Sequence, residues 1–229
     1  WASYRDGSTR FPQVVRAAFL GDSAACGKLR GMQRYWPVPD LTPEQVRQFL
    51  DYDSATGILT WRPRPIRPDC ERADKGWNTR FAGKPAGTLG KHGHWYVSIA
   101  YRKLYESRSF AAHRLAWAHY YGEWPTCDID HENCNPADNR IDNLRLATQT
   151  QNLGNARMRK DNTSGCKGVY WDKTSRKWAA FITINKRVTG LGRYSSKDKA
   201  IAVRQAKARE VFGEFANETL ITRAEEEAP

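Results

Sequence analysis

The segment CDIDHENCNPADNRIDNLRLATQTQN, from Cys127 to Asn152, constrains this chain more than any other stretch. It reads as a strand ending at Asp130-His131, a polar loop, a second strand in RIDNLRLAT and a helix starting near Gln149. A helix following such a strand pair lets one of its side chains, Asn152, face back toward the end of the first strand. One short stretch can then gather a carboxylate, an imidazole and two amides. Asparagines also suit turns, so residue types alone leave a loop-rich linker as the alternative.

The gathered groups have a definite chemistry. Asp130 offers oxygen donors to a hard divalent ion such as Mg²⁺ (or Mn²⁺), and Asn152 can add a carbonyl oxygen. His131, with an ordinary pKa of about 6.5, can take a proton from water near neutral pH. Asn143 can hydrogen-bond the His131 region and fix the ring orientation. This set suits phosphodiester hydrolysis, with His131 activating water and the ion neutralising charge on the scissile phosphate and leaving oxygen. No covalent intermediate is required.

Elsewhere the elements are short. Residues 1–38 are rich in Arg, Gly and Ser without a sustained period and read as a flexible extension. In LTPEQVRQFL, Thr42 suits an N-cap, Pro43 the first helical position and Gln45 the capping-box partner. A turn around Ser54 to Gly57 leads into a strand through Ile58 and Thr60. Residues 63–83, interrupted by Pro63, Pro65, Pro68, Gly76 and Gly83, read as loop. Trp95, Val97 and Ile99 alternate onto one face of an antiparallel hairpin or meander. In FAAHRLAWAHYYG the spacing turns helical, with Ala112, Leu115, Ala116 and Tyr120 on one side and Gly122 as the stop. A basic connector, 158–162, precedes three short strands and a helix in KDKAIAVRQAKAREVFG. On that helix Ala200, Val203, the Lys207 stem and Val211 are expected to face the sheet. The acidic tail, 217–229, is expected to be solvated and disordered.

Charge narrows the partners. Net charge is +12 and the pI is near 9.6. Between Arg157 and Arg209 stand fifteen Lys or Arg against three Asp, an excess equal to the charge of the whole chain. A block this basic, interleaved with aromatics, points to a polyanion, with nucleic acid ahead of a membrane surface. No run of about 18 apolar residues occurs, so no membrane span is expected. The five cysteines (Cys26, Cys70, Cys127, Cys134, Cys166) contain no CxxC pair. They are expected to be reduced thiols in a cytoplasm rather than zinc ligands.

In KWAAFITI, strand alternation puts Trp178, Ala180, Ile182 and Ile184 on one side. Val169, Trp171, Val188 and Leu191 are expected to join that core. The opposite face is expected to collect Tyr170, Lys177, Phe181, Thr183, Arg187 and Thr189, with Lys167 nearby. A small sheet bearing these groups suits a major groove, Phe181 touching a thymine methyl and Lys167, Lys177 and Arg187 reaching phosphates or guanine.

The stretch HRLAWAHYYGEWPTCDIDHENCNPADNRIDNLRLATQTQN, His113 to Asn152, resembles the HNH endonucleases of the phage and intron-encoded homing type, with their histidine–metal finger. The resemblance implies Asp130 and Asn152 as metal ligands, His131 as general base and Asn143 as the residue that orients it. Two positions depart from the family pattern: Cys134 stands where glycine is common, and Cys127 where a small or polar residue is usual. A positive φ at Cys134 would cost turn stability, and a thiolate suits zinc rather than Mg²⁺. His113 matches the family's HRL, where a packing or phosphate contact is favoured over catalysis. His92, His94 and His119 are assigned surface or fold roles.

Residues 163–216 are similar to the apetala-two (ethylene-response-factor) DNA-binding domain through KGVYW, KWAAFI, LGRYSSKDKAIA and VFGEFA, although that family's Arg and Trp base contacts are mostly not reproduced. The expectation is an α+β protein. A small antiparallel sheet, 39–112, leads into a ββα-metal nuclease core, 113–157, and then a three-stranded sheet with one helix that grips DNA, 163–216. It would act in the cytoplasm as a monomer that nicks double-stranded DNA. A DNA-binding regulator with an inert nuclease unit is the alternative, and an RNA-binding factor a third reading.

Overall fold

The computed structural model describes residues 40–102, 106–159 and 161–217. The extension expected over 1–38, and all of the tail beyond Asn217, lie outside these residues. The architecture is mixed α+β, built from small antiparallel sheets.

Helix α1 (Pro43–Phe49) starts at a capping box, the Gln45 amide N–H donating to Thr42 Oγ1 (3.3 Å) and the Thr42 N–H to Gln45 Oε1 (2.8 Å). Strands β1 (Leu50–Asp53) and β2 (Ile58–Trp61) pair as a hairpin. Its turn is held by Asp53, which accepts from the Ala55 amide (2.9 Å) and the Thr56 hydroxyl (2.7 Å). Residues 63–83, expected to be loop, contain helix α2 (Glu71–Phe81). The prolines all precede it, and what secures it is tertiary. Arg67 forks onto the buried Asp74 carboxylate (2.9 and 2.8 Å), and the Arg64 guanidinium lies 3.7 Å over the Trp77 ring.

Strands β3 (Thr88–Leu89), β4 (Trp95–Arg102) and β5 (Glu106–Ala111) form the expected meander, in the order β3-β4-β5. Helix α3 (Ala112–Tyr121) follows and stops at Gly122 in the left-handed region (φ 76°). It serves two cores. Ala112, Leu115 and Ala118 pack with Leu41, Val46, Leu50, Val97 and Ile99, whereas Ala116 and Trp117 pack with Ile129 and Leu144. Tyr120, expected on the apolar side, is half exposed. Strands β6 (Asp128–His131) and β7 (Leu144–Ala147) pair antiparallel, and α4 (Gln149–Asn155) follows behind a second capping box, Thr148 with Gln151.

The last sheet has the order β10-β9-β8, from β8 (Val169–Asp172), β9 (Lys177–Ile184) and β10 (Arg187–Tyr194), with α5 (Lys197–Phe212) packed on it. The buried row of α5 is Ala200, Arg204, Ala208 and Phe212, an i, i+4 stripe, rather than the row through Val203, Lys207 and Val211. Phe212 and Phe215 also pack against Ala147 of β7, so this sheet and helix share a core with the ββα segment.

The register of β9 and β10 corrects the face expected for β10. Asn185 and Lys186 both have positive φ (48° and 65°), a two-residue hairpin turn that pairs Ile184 with Arg187. Directly opposite residues share a face, so Arg187 and Thr189 lie on the side of Ile184 and Ile182. Val188, opposite Thr183, and Arg193, opposite Ala179, join the open face with Tyr170 and Phe181. Val188, expected in the core, is accordingly 68% exposed.

Candidate active site

The β6–β7 register sets Asp130 opposite Arg145 and His131 opposite Leu144. Asp130 and His131 are both buried, at 7% and 6% exposure. Together with Asn152, Asn155, Arg157 and His94 they line one cavity of about 370 Å³. The structure therefore brings Asp130, His131 and Asn152 to a single pocket.

Asp130 is held from two sides. Arg145 Nε donates to its Oδ2 (2.9 Å), and Asn155 Nδ2 donates to Oδ1 (3.0 Å) and Oδ2 (2.9 Å). The same Asn155 amide reaches the His131 carbonyl (2.9 Å), so one α4 side chain braces the end of β6. Arg145 in turn sits 3.9 Å over the Phe215 ring, which places the short turn after α5 behind the carboxylate. Asn155 was not singled out in the sequence. Its signal was its spacing of three from Asn152, which puts both on one face of α4.

His131 Nε2 lies 3.3 Å from Asn139 Oδ1. A carboxamide oxygen only accepts, so Nε2 carries the proton and the lone pair of the neutral ring resides on Nδ1. The hydrogen bonds of Asn143 go elsewhere than the ring. Its Oδ1 accepts from the Asn133 amide (3.0 Å), its Nδ2 donates to the Asp138 carbonyl (2.8 Å), and its carbonyl accepts from the Glu132 amide (2.9 Å). Asn143 thus closes the loop that follows His131, while Asn139 meets the imidazole. Asn133 and Asn135 do fold the turn, each accepting from the amide two residues on. Cys134 sits at φ 56°, in the region glycine favours, and its thiol donates to the Asn155 carbonyl (3.0 Å).

Two further histidines meet His131. His94 comes from the turn before β4 and His113 from the first turn of α3, with ring centroids 5.6 and 5.2 Å from that of His131. Burial pushes all three below the ordinary histidine pKa, His113 furthest, and the neighbouring imidazoles lower His94 and His113 further. For His131 the Asn139 hydrogen bond and Asp130 act in the opposite sense.

The loop under the site has its own acid-sensitive clasp. Arg140 donates to both oxygens of Asp138 (2.9 and 2.7 Å) and Asn133 Nδ2 to Oδ2 (2.7 Å), and these contacts, Arg140 first, hold the Asp138 carboxyl at about 2. Because the folded value lies below the ordinary 3.8, this contact stabilises the fold above that pH and is lost as pH falls through about 2. Asp138→Asn is therefore expected to lower Tm at about pH 6 and to lower it less at about pH 2.5. An equal deficit at both would remove the ion pair from the account.

Of the groups expected on the open face of the last sheet, Tyr170 is half exposed and meets Phe181 edge-on (centroids 5.8 Å), with Lys177 and Thr183 in the same alternation. Lys167 is committed elsewhere. Its ammonium donates to the Leu153 (2.6 Å), Gly154 (3.2 Å) and Ala156 (2.9 Å) carbonyls, capping the C-terminal end of α4, and burial lowers its pKa to about 8.

The HNH endonuclease family matches residues 110–153, the span from the end of β5 into α4. Protein 3.8 of Escherichia phage T7 is 36% identical over 90 residues, covering 38% of this chain and 72% of that protein. A structure of DNA binding and cleavage by the HNH homing endonuclease I-HmuI aligns at 21% identity with a TM-score of 0.33. That match covers 47% of this chain and 53% of the other, so the chain spans about half the length of that solved relative.

Proposed function

The chain belongs to the HNH endonuclease family, and from that premise we propose that it hydrolyses phosphodiester bonds in double-stranded DNA at the Asp130–His131 pocket. The observation that carries this reading is the convergence of Asp130, His131 and Asn152 on one cavity.

The residues fit a divalent ion. The Asp130 carboxylate and the Asn152 amide offer hard oxygen donors in the same cavity. A carboxylate accepts about four hydrogen bonds, so the contacts from Arg145 and Asn155 leave capacity on Asp130. Oxygen donors in this number suit Mg²⁺ or Mn²⁺. Such an ion, when bound, supplies charge neutralisation at the scissile phosphate and at the leaving oxygen.

The chain's own groups do the rest. His131 takes the proton of the attacking water at Nδ1, while Asn139 keeps Nε2 protonated and the ring in place. Asn155 fixes the Asp130 carboxylate and the backbone of His131 together, so base and metal ligand keep their spacing. Asn143 acts one step removed, by closing the loop that carries Asn139. Arg157, at the rim of the cavity, is placed to meet a phosphate.

The C-terminal sheet, apetala-two-like in this reading, grips the duplex through its open face of Tyr170, Lys177, Phe181 and Thr183, with Val188 and Arg193 added by register. Packing of Phe212 and Phe215 on Ala147 makes gripping and cleaving parts move together. One such site among the described residues gives nicking by a monomer acting in the cytoplasm; among the described residues no helix is long and apolar enough to cross a membrane.

Incubation with supercoiled DNA containing its own flanking genomic sequence tests this. Nicked circles are expected with Mg²⁺ or Mn²⁺ and none with a chelator, and duplex binding is expected to weaken steeply with salt. Salt-sensitive binding without nicking in any divalent ion would favour the DNA-binding regulator instead. Preference for single-stranded RNA would dispose of both.

A further inference from the structure

The imidazoles of His94, His113 and His131 form a triangle that the hydrolytic account uses at only one corner. Their ring centroids are 5.3, 5.6 and 5.2 Å apart, and their ligand atoms all lie within 4.8 Å of one another. For Zn–N bonds of about 2.0–2.1 Å at tetrahedral angles, three ligating imidazoles have centroids roughly 5.2 Å apart and donor nitrogens roughly 3.3 Å apart. The rings therefore stand close to the spacing that one ion would impose, and small rotations bring the nitrogens in.

Two more observations point to a ligand. Nδ1 of His94 and Nδ1 of His113 are buried and have no hydrogen-bond partner among the described residues. A buried polar atom left unpaired is destabilising, and two in one cluster call for a common partner. His131 also has the support a metal-ligating histidine commonly has, its other ring nitrogen donating to an amide oxygen, here Asn139 Oδ1.

We propose that His94, His113 and His131 form a nitrogen site for a borderline transition ion, Zn²⁺ foremost, separate from the oxygen donors of Asp130 and Asn152, and that an ion bound there silences hydrolysis. Three neutral imidazoles favour Zn²⁺, Ni²⁺ or Cu²⁺ over Mg²⁺. An ion on Nδ1 of His131 occupies the lone pair that would accept the proton from water. This silencing rests on His131 being the general base, whereas ion binding does not.

The test uses the full chain, first without DNA. Calorimetric titration with Zn²⁺ is expected to show one site, weakened at least tenfold in His94→Ala and in His113→Ala and unchanged in Asn152→Ala. The chain has five histidines. In the wild type, Zn²⁺ is expected to shift the ring-nitrogen NMR signals of three and to leave His92 and His119 in place, a readout that needs no variant to fold. Binding lost in Asn152→Ala but kept in His94→Ala would put the ion on the oxygen site and overturn the proposal, as would shifts that spare His94 and His113. With Mg²⁺ fixed, rising Zn²⁺ is expected to stop nicking by the wild type, and His94→Ala to need at least tenfold more. Equal inhibition of both, or faster nicking with Zn²⁺, overturns the silencing while leaving the calorimetric result to decide the site. Absence of nicking under all conditions bears on the nuclease reading alone.

Discussion

Gly57→Ala is expected to lower Tm by roughly 6–12 °C, the shift that about 3 kcal/mol produces in a chain of this size. Gly57 closes the β1–β2 turn at φ 75°, where a side chain costs about 1–2 kcal/mol. The larger effect lies outside the turn. A methyl on Gly57 would stand 2.5 Å from the Arg140 nitrogen and 2.6 Å from the Asn139 carbonyl carbon, both backbone atoms that no rotamer change can move aside. Overpacking of that kind typically costs a further 1–3 kcal/mol or so. The contact matters to function because the hairpin holds this loop directly. The Tyr52 hydroxyl donates to the Asn139 carbonyl (2.7 Å), and the Ile141 amide donates to the Ser54 carbonyl (3.3 Å). Displacing residues 139–140 moves the side chain that meets His131 Nε2, so cleavage is expected to fall even below the melting transition. A wild-type Tm in a thermal melt of Gly57→Ala would mean that the hairpin does not clamp the loop.

How much of this was legible in the sequence follows from the range of the interactions. Where local signals agree, as in the Thr42 capping box, the Ser54–Gly57 turn and the ββα pattern around Asp130-His131, the elements stand where the sequence put them. Helix α2 was hidden because Gly76 and the three prolines before it argue locally for loop, and the Arg67–Asp74 fork and the cover over Trp77 count only once the chain is folded. The buried row of α5 was missed because Arg204, a charged residue, belongs to it. In β10 the alternation could be read, but its phase depends on the turn at Asn185-Lys186, whose positive φ values no Gly announces.

At the site itself, Asp130, His131 and Asn152 lie close together in sequence and were legible as a group. His94 and His113 were not, because they arrive from a β-turn and a helix start that only tertiary packing brings to His131. Asn139 was hidden for a subtler reason. An asparagine in a polar loop resembles its neighbours, and only burial (4% exposed) separates it from Asn133 and Asn135, which do serve the turn.

The second large effect is on chemistry. Removing a positioned general base typically costs 10²- to 10⁴-fold in rate, roughly the contribution such a group makes. His131→Ala is expected to lose that much while keeping the fold. The Asn155 amide braces Asp130 through its carboxylate and residues 131 and 132 through their backbone carbonyls, which the substitution leaves in place. Affinity for duplex is likewise expected to persist, because the face of the last sheet proposed to grip it, with Tyr170 and Phe181, is elsewhere. Imidazole added to the buffer can enter the vacated volume and accept the proton in place of the missing ring. The decisive measurement is the rate of Mg²⁺-dependent nicking by His131→Ala against the wild type, at saturating DNA, with and without imidazole. A loss of at least about 10²-fold with partial recovery in imidazole is expected, whereas nicking at the wild-type rate by His131→Ala would rule out His131 as the general base.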